Sequence, residues 1–330
     1  MTPAPLISVV MSVYNGAHYL KESIDSILNQ TLTDFEFIII NDGSTDSSLD
    51  IIKSYNDKRI TIVDQENKGL ISSLNTGIAL AKGEYIARMD ADDISINDRF
   101  QHQIEYINKN NLDLCGGSII RFGRKIQRKD YPCDNKSLKY GMLFLGKSFA
   151  HPTVMAKRTV MSQNPYDATF KHYEDFALWL KLIAIDNIRV GNTRKALLHY
   201  RSHDKQTSKV HHDVQKQNQL NMVIYAFKNQ GINISTKDAN VIVNTRNRLP
   251  SDLPSLIQHG EFLANIQEHF LHKWGENTTI SEQWRKTCSI NSGNGHAMFK
   301  AFRAAKIPPP PLLATIKLYL ACLFKANKTH

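Results

Sequence analysis

Three carboxylates fall within four positions of Met89-Asp90-Ala91-Asp92-Asp93, directly after the apolar run Tyr85-Ile86-Ala87. Like charges this close repel and raise one another's pKa unless a positive group sits among them. A hard divalent cation is the natural guest. Mg²⁺ or Mn²⁺ takes oxygen ligands and is commonly held by one or two carboxylates while substrate phosphates complete its shell. Asp90-Ala91-Asp92 therefore reads as a clamp for a metal and a diphosphate. Taken alone, the triplet is better explained as a solvated acidic turn or helix N-cap; the surrounding chain is what favours the clamp.

The elements that must position these carboxylates alternate. Leu6 to Tyr14 is a buried strand ending at the turn pair Asn15-Gly16. A helix is predicted over Tyr19 to Gln30, a strand over Phe35 to Ile40, a helix over Ser47 to Tyr55 and a strand over Ile60 to Val63. A helix from Gly69 to Lys82, stopped by Gly83, precedes the strand Tyr85 to Met89 that delivers the acidic cluster. Such alternation implies a mainly parallel sheet with helices on both faces, whose ligands bind beyond the carboxyl ends of the strands. Tyr14, Asp42 and Asp90 sit at or just past strand ends, so one crevice should collect them. Neither a Gly-x-Gly-x-x-Gly turn nor a Gly-x-x-x-x-Gly-Lys-Ser/Thr loop occurs there, which argues against dinucleotide and P-loop sites. Asp42-Gly43-Ser44 reads as a turn and helix cap or as a base- or ribose-recognising corner.

Further on, a helix is expected over Asn97 to Asn110, then a strand pair turning around Gly116-Gly117 within Leu112 to Phe122. The basic run Arg121, Arg124, Lys125, Arg128 and Lys129 is read as a solvated hairpin in preference to a phosphate contact. His151-Pro152-Thr153-Val154-Met155 is expected to begin a strand. Glu174 and Asp175 open a helix with Phe176, Trp179, Leu180 and Ile183 on one apolar face, where the backbone dipole alone accounts for acidic residues.

The 330 residues allow one large and one smaller domain, and the net charge of +10 suggests acidic partners. No nucleic-acid motif accompanies that charge. Cys115, Cys133, Cys288 and Cys322 are scattered, so neither a zinc site nor a disulfide framework is expected, and a reducing compartment fits. The N-terminus lacks the basic and apolar regions of a signal peptide, and no apolar run reaches spanning length.

Ser8 to Tyr14, Asp42-Gly43-Ser44-Thr45-Asp46, Asn67-Lys68-Gly69-Leu70 and Ala87 to Asp93 come in an order and at intervals that resemble the nucleotide-binding half of family 2 glycosyltransferases, which have the GT-A fold. The resemblance covers roughly the first two hundred residues, more than the modal domain size. It implies a catalytic domain over 1–208 (1–95 for the nucleotide, 96–208 for acceptor and base) followed by a helical, basic region over 209–330. It implies that Ser12, Val13, Tyr14 and Asp42 bind uridine, that Asp90 touches ribose or metal, and that Asp92 ligates the metal. Ser12 departs from the pattern, since many relatives carry Pro or Thr there. Asp175, in the Glu-Asp pair ahead of Trp179, resembles the family's general base, and His151 and Glu174 are acceptor-side candidates. Tyr200-Arg201-Ser202-His203 resembles the last motif. His203 is then a third metal ligand, with Arg201 or Lys205 meeting the diphosphate from a loop that closes over the donor.

The implied reaction is inverting transfer of a hexose from a UDP-sugar, with Mn²⁺ or Mg²⁺, to an oligosaccharide or glycolipid acceptor. Bacterial lipooligosaccharide and capsule enzymes are the nearest pattern, with N-acetylglucosamine or galactose favoured. A sugar nucleotidyltransferase or an inactive, membrane-docked glycan-binding module are the alternatives. After residue 208, apolar-patterned pieces are expected at 220–226, 256–264 and 267–274. From Gln283 to His330 there are eight Lys or Arg and no Asp or Glu. Pro308 to Pro311 breaks the chain before residues 312–330, which read either as a helix in an anionic membrane interface or as one packed on its own domain or in a homodimer. The expected location is cytoplasmic, peripheral on the inner membrane.

Overall fold

The computed structural model describes residues 4–123, 125–203, 212–276, 278–308 and 312–326. Two compact units divide the chain: residues 1–135 with 148–212, and residues 136–147 with 213–330. The segment 136–147 thus groups with the C-terminal helices, although it precedes much of the first unit in sequence. No helix among the described residues is long and apolar enough to cross a membrane.

The first unit is built on one sheet. Strands β1 (Ile7–Val13), β2 (Phe35–Asp42), β3 (Ile60–Gln65) and β4 (Tyr85–Asp90) are parallel in the order β3-β2-β1-β4. Near-continuous apolar strands such as Phe37 to Ile40 are covered on both faces, as parallel sheets require. Helices α1 (Ala17–Leu28), α2 (Ser48–Lys53) and α3 (Leu70–Leu80) connect them. Beyond β4 the sheet becomes mixed. Strand β8 (Met155–Lys157) runs antiparallel to β4 and to β6 (Leu114–Phe122), and β9 (Val190–Arg201) is parallel to β6. The short β5 (Ile94–Ser95) and β7 (Gln127–Lys129) are antiparallel partners of β9 and β6. The unit is α/β, with a parallel half over β3-β2-β1-β4 and a mixed half beyond it.

Two local expectations are corrected. Gly116-Gly117 is no turn: β6 runs straight through it, and its register against β9 shifts at Gly117 and Ser118. A Cβ at Gly116 would lie 2.5 Å from Asn192 Oδ1, and one at Gly117 would lie 2.5 Å from Leu197 Cδ1, so the glycines answer to close packing. The hairpin turns near Gly123, at φ 106°, and returns through β7. His151–Thr153 is a 3-10 turn set by Pro152, and the strand begins only at Met155. Arg124 lies outside the described residues.

The second unit is helical. It contains α5 (Asn135–Tyr140), a π-helical turn (Gly141–Leu145), α8 (His212–Asn229), α9 (Thr236–Asn247), α10 (Leu253–Trp274), α11 (Thr279–Ile290), α12 (Gly295–Ala304) and α13 (Leu312–Ala326). The expected pieces at 256–264 and 267–274 merge into α10, whose start is capped by Asp252 accepting from Ser255 N. Phe144, Phe227 and Phe270 pack edge to face at its centre, with 5.6 Å between the Phe144 ring and each of the others.

Candidate active site

Strand register sets the site. Ser12 in β1 lies beside Asp90 in β4, and Asp42 in β2 lies beside Gln65 in β3, so the carboxyl ends of the strands are level. The β1 and β2 junctions are stitched together by backbone-to-side-chain bonds. Asn15 N donates to Ser44 Oγ (3.0 Å), Gly16 N to Ser48 Oγ (3.0 Å), Ala17 N to Asp46 Oδ2 (3.1 Å), and Thr45 N to Asn15 Oδ1 (2.8 Å). The result is a cavity of about 880 Å³ lined by Ser12, Tyr14, Tyr19, Asp42, Asp90, Asp92 and His203, among others. Tyr14 is 55% exposed at its rim. Val13 is fully buried in the sheet and does not line the cavity.

Asp42 is also nearly buried. Its Oδ1 accepts from Gln65 Nε2 (2.8 Å) and Lys68 N (2.9 Å), and its Oδ2 accepts from Gly69 N (2.8 Å). A carboxylate offers about four acceptor positions, so most of this one is occupied in fixing the 66–69 loop. Gly43, at φ 71°, permits that approach; a Cβ there would sit 2.6 Å from Asn67 N.

The acidic cluster has one carboxylate oxygen from each of Asp90, Asp92 and Asp93 within 4.8 Å of the others. Burial first, and then the neighbouring carboxylates, raise Asp90 and push Asp93 well above the usual range. Three hard oxygen donors that repel one another, two of them open to the cavity, fit a divalent cation. His203 Nε2 lies 2.8 Å from Asp92 Oδ2, so a nitrogen donor is adjacent. Asp93 is different: it is fully buried, and its Oδ1 accepts from Arg201 N (2.8 Å). Ser23 Oγ, from α1, contacts the carbonyls of Ala91 (2.9 Å) and Asp93 (2.6 Å) and pins the turn from below.

Arg201 ends β9 and does not line the cavity. Its Nε donates to Asp92 O (2.8 Å), it pairs with Glu22, and its guanidinium lies 4.4 Å from the Tyr19 ring centroid and 4.6 Å from that of Phe122. It braces the acidic turn. Lys205 and the proposed closing loop lie outside the described residues.

Asp175 stands in the first turn of α7 (Glu174–Ile183), where its Oδ1 accepts from Phe176 N (2.6 Å). Burial raises its pKa, opposed by that N–H and by Arg88. Asp175 does not line the strand-end cavity, and its charge is among those that raise Asp90. Glu174 is pushed up to about 7 by burial and by Asp175. His151 Nε2 lies 2.7 Å from Tyr166 Oη; burial first and Arg88 second hold the imidazole well below its ordinary pKa, so it is neutral.

Arg88 is the residue that sequence reasoning missed. It is buried in β4, pairs with Asp90, and its charge bears on Asp93, Glu174, Asp175 and His151. The signal was available: positions 88 and 90 of one strand share a face, and an arginine inside an apolar strand needs an anion there. Arg99 Nη2, also buried, donates to Arg88 O (2.9 Å) and fixes the strand beneath.

Residues 8–163 match the family model described as Glycosyl transferase family 2. The chain is 40% identical over 212 residues to the O-antigen biosynthesis glycosyltransferase WbnJ of Escherichia coli, covering 62% of this chain and 82% of that one. It is 32% identical over 190 residues to the UDP-Glc:alpha-D-GlcNAc-diphosphoundecaprenol beta-1,3-glucosyltransferase WfgD of Escherichia coli, covering 57% and 73%. Among solved structures, S. aureus TarS 1-349 in complex with UDP-GlcNAc superposes with a TM-score of 0.58 at 15% identity, over 98% of this chain and 92% of that one. The mannosyltransferase PcManGT from Pyrobaculum calidifontis, in complex with GDP-Man and Mn²⁺, gives 0.51 at 16% identity, over 100% and 82%. At such identities the structural likeness concerns the fold.

Proposed function

The chain belongs to the family 2 glycosyltransferases, and from that premise we propose that it moves a hexose from a UDP-sugar to a bacterial surface-glycan acceptor, with inversion and with metal assistance. The observation that carries this reading is the strand-end cavity in which Asp42, Asp90, Asp92 and His203 converge. Asp90 and Asp92 face that cavity; Asp175 does not line it, and its charge contributes to raising Asp90. The relatives WbnJ and WfgD, one named for O-antigen biosynthesis and the other for transfer from UDP-Glc, support the donor and acceptor classes.

In this proposal Tyr14 and the Ser12 edge of β1 receive the uracil and ribose, and Asp42 uses its remaining acceptor position on the base. Asp90, Asp92 and His203 hold the cation, Mn²⁺ or Mg²⁺, which when bound supplies Lewis acidity to the diphosphate leaving group. Arg201 keeps the acidic turn in place. Asp175 takes the proton of the acceptor hydroxyl as that oxygen attacks the anomeric carbon opposite the diphosphate. A carboxylate is a weak base, so its raised pKa brings it closer to the task. Glu174, pushed up to about 7, is able to donate a hydrogen bond to the acceptor, and neutral His151 holds Tyr166 beside it. An α-linked donor then yields a β-linked product. The test is a UDP-release screen over UDP-glucose, UDP-galactose and their N-acetylated forms with Mn²⁺, Mg²⁺ or EDTA, followed by product linkage. Release that ignores EDTA, or an α-linked product, overturns the reading.

We further propose that α13 lies on an anionic membrane surface. Leu313, Ile316, Leu320, Leu323 and Phe324 are exposed beside Lys317, while Leu318 and Cys322 anchor the helix to its own unit. Deleting 312–330 should weaken sedimentation with phosphatidylglycerol vesicles. Unchanged sedimentation, or a loss of dimer instead, rejects that placement.

A further inference from the structure

The second unit holds a cavity of about 320 Å³ between the end of α9, α11 and Leu145 of the π-helical turn. Arg246, Arg248, Arg285 and Lys286 line it, and no carboxylate does. Glu282 pairs with Lys286 at 2.8 Å, one helical turn back, and its charge also bears on Arg285; Arg248 and Arg285 form no salt bridge among the described residues. Arg246 is already oriented: its Nη2 donates to the carbonyls of Met142 (3.1 Å) and Leu143 (2.7 Å). Gly146 backs it closely, since a Cβ there would lie 3.5 Å from Arg246 Nε. A planar guanidinium held in this way suits oxyanions, which it meets through several N–H groups at once.

A second observation points the same way. Gln283 lines this cavity, its side chain is fully buried, and neither Nε2 nor Oε1 has a hydrogen-bond partner. A buried amide without partners loses its hydration and gains nothing in return, so native chains rarely keep one without a reason. A basic lining free of carboxylates and a buried amide that needs both an acceptor and a donor are served together by a hydroxyl-bearing oxyanion.

We propose that this cavity binds a phosphate group. The arginines take its charged oxygens, Gln283 Nε2 donates to one of them, and Gln283 Oε1 accepts from a P–OH or from a hydroxyl on the esterified group. At about 320 Å³ the space matches the small end of ligand pockets, a head group in size. The phosphate has two sources, a soluble ester or a phospholipid head group, and the site stands apart from the reading of the transfer reaction.

The experiment uses the full chain in EDTA. One arm titrates inorganic phosphate by calorimetry; the other measures sedimentation with phosphatidylcholine vesicles containing phosphatidic acid. The R248E/R285E variant should lose at least tenfold in affinity, and Gln283→Leu, which keeps the charge, at least threefold. R248Q/R285Q serves if charge reversal impairs the circular-dichroism melt. Loss in the calorimetric arm supports the site with a soluble phosphate, and loss confined to the vesicle arm supports it with a lipid source. Variants that bind like the native chain in both arms overturn the proposal. So does an equal loss in the control K53E/K109E, which would reduce the effect to diffuse charge.

Discussion

Asp90, Asp92 and Asp93 follow a strand, and Glu174 and Asp175 open a helix; the two acidic regions differ in what balances them. Each member of the strand-end group has its own partner, with the Arg88 guanidinium on Asp90, the His203 imidazole on Asp92, and the Arg201 backbone N–H on Asp93. It faces an open cavity. The helix-entrance pair has the charge of Arg88 and backbone N–H groups; its carboxyls, like Asp90 and Asp93, are pushed towards their neutral forms. A strand end collects side chains from several strands at one level, so it can assemble ligands for a multiply charged group. A helix entrance offers N–H groups and burial, which adjust the proton affinity of one carboxyl. The first arrangement suits binding of a diphosphate and its cation, the second suits proton transfer, and Arg88 touches both electrostatically.

That contrast breaks if the two regions respond alike to mutation. Asp92→Ala should give the largest effect, a loss on the order of 10³-fold or more in kcat/KM, since cation-assisted neutralisation is worth several kcal/mol. It should also abolish the metal dependence of UDP affinity measured by calorimetry. Asp175→Asn should lower kcat by roughly 10²–10⁴-fold, the usual range for a general base, with UDP affinity unchanged. Equal weakening of UDP binding by both substitutions would erase the distinction between clamp and base. Normal turnover by the Asp175→Asn protein would remove the base assignment.

Much of the strand-end cavity was legible because its parts lie at strand ends, where apolar runs stop and turn residues begin. Tyr14, Asp42 and Asp90 could be placed in one crevice from the alternation of elements alone, and the cavity collects all three. Periodicity also located α1, α2 and α3 to within a few residues, and missed the short helix over Arg158–Gln163. What it did not give is orientation within the site. Val13 turns into the sheet, and Arg201 braces the turn from outside the cavity, because strand alternation and the β5–β9 pairing decide which side chains face in. Gly116-Gly117 looked like a turn, since glycine serves close packing and chain reversal equally well; only the facing Asn192 and Leu197 distinguish the two. Arg88 escaped notice because one charge within a strand is conspicuous only once its neighbours in space are known.

The contrast is sharpened most gently through Glu174. In the folded chain its carboxyl is pushed from an ordinary value of 4.5 up to about 7 by burial and by Asp175. Between those pH values the folded state keeps a proton that the unfolded chain releases. Stability from this group is therefore complete below about pH 4.5 and is lost as pH rises towards 7, by at most about 3 kcal/mol. Glu174→Gln removes the ionising group while keeping the shape, so the variant should lose less stability than the native chain between pH 5 and pH 7.5, read as urea midpoints. Asp175 is raised as well and retains its own share of the slope in the variant. Identical slopes in the two proteins would mean that Glu174 ionises as it does in water, and the helix entrance would then be an ordinary dipole-stabilised acidic turn.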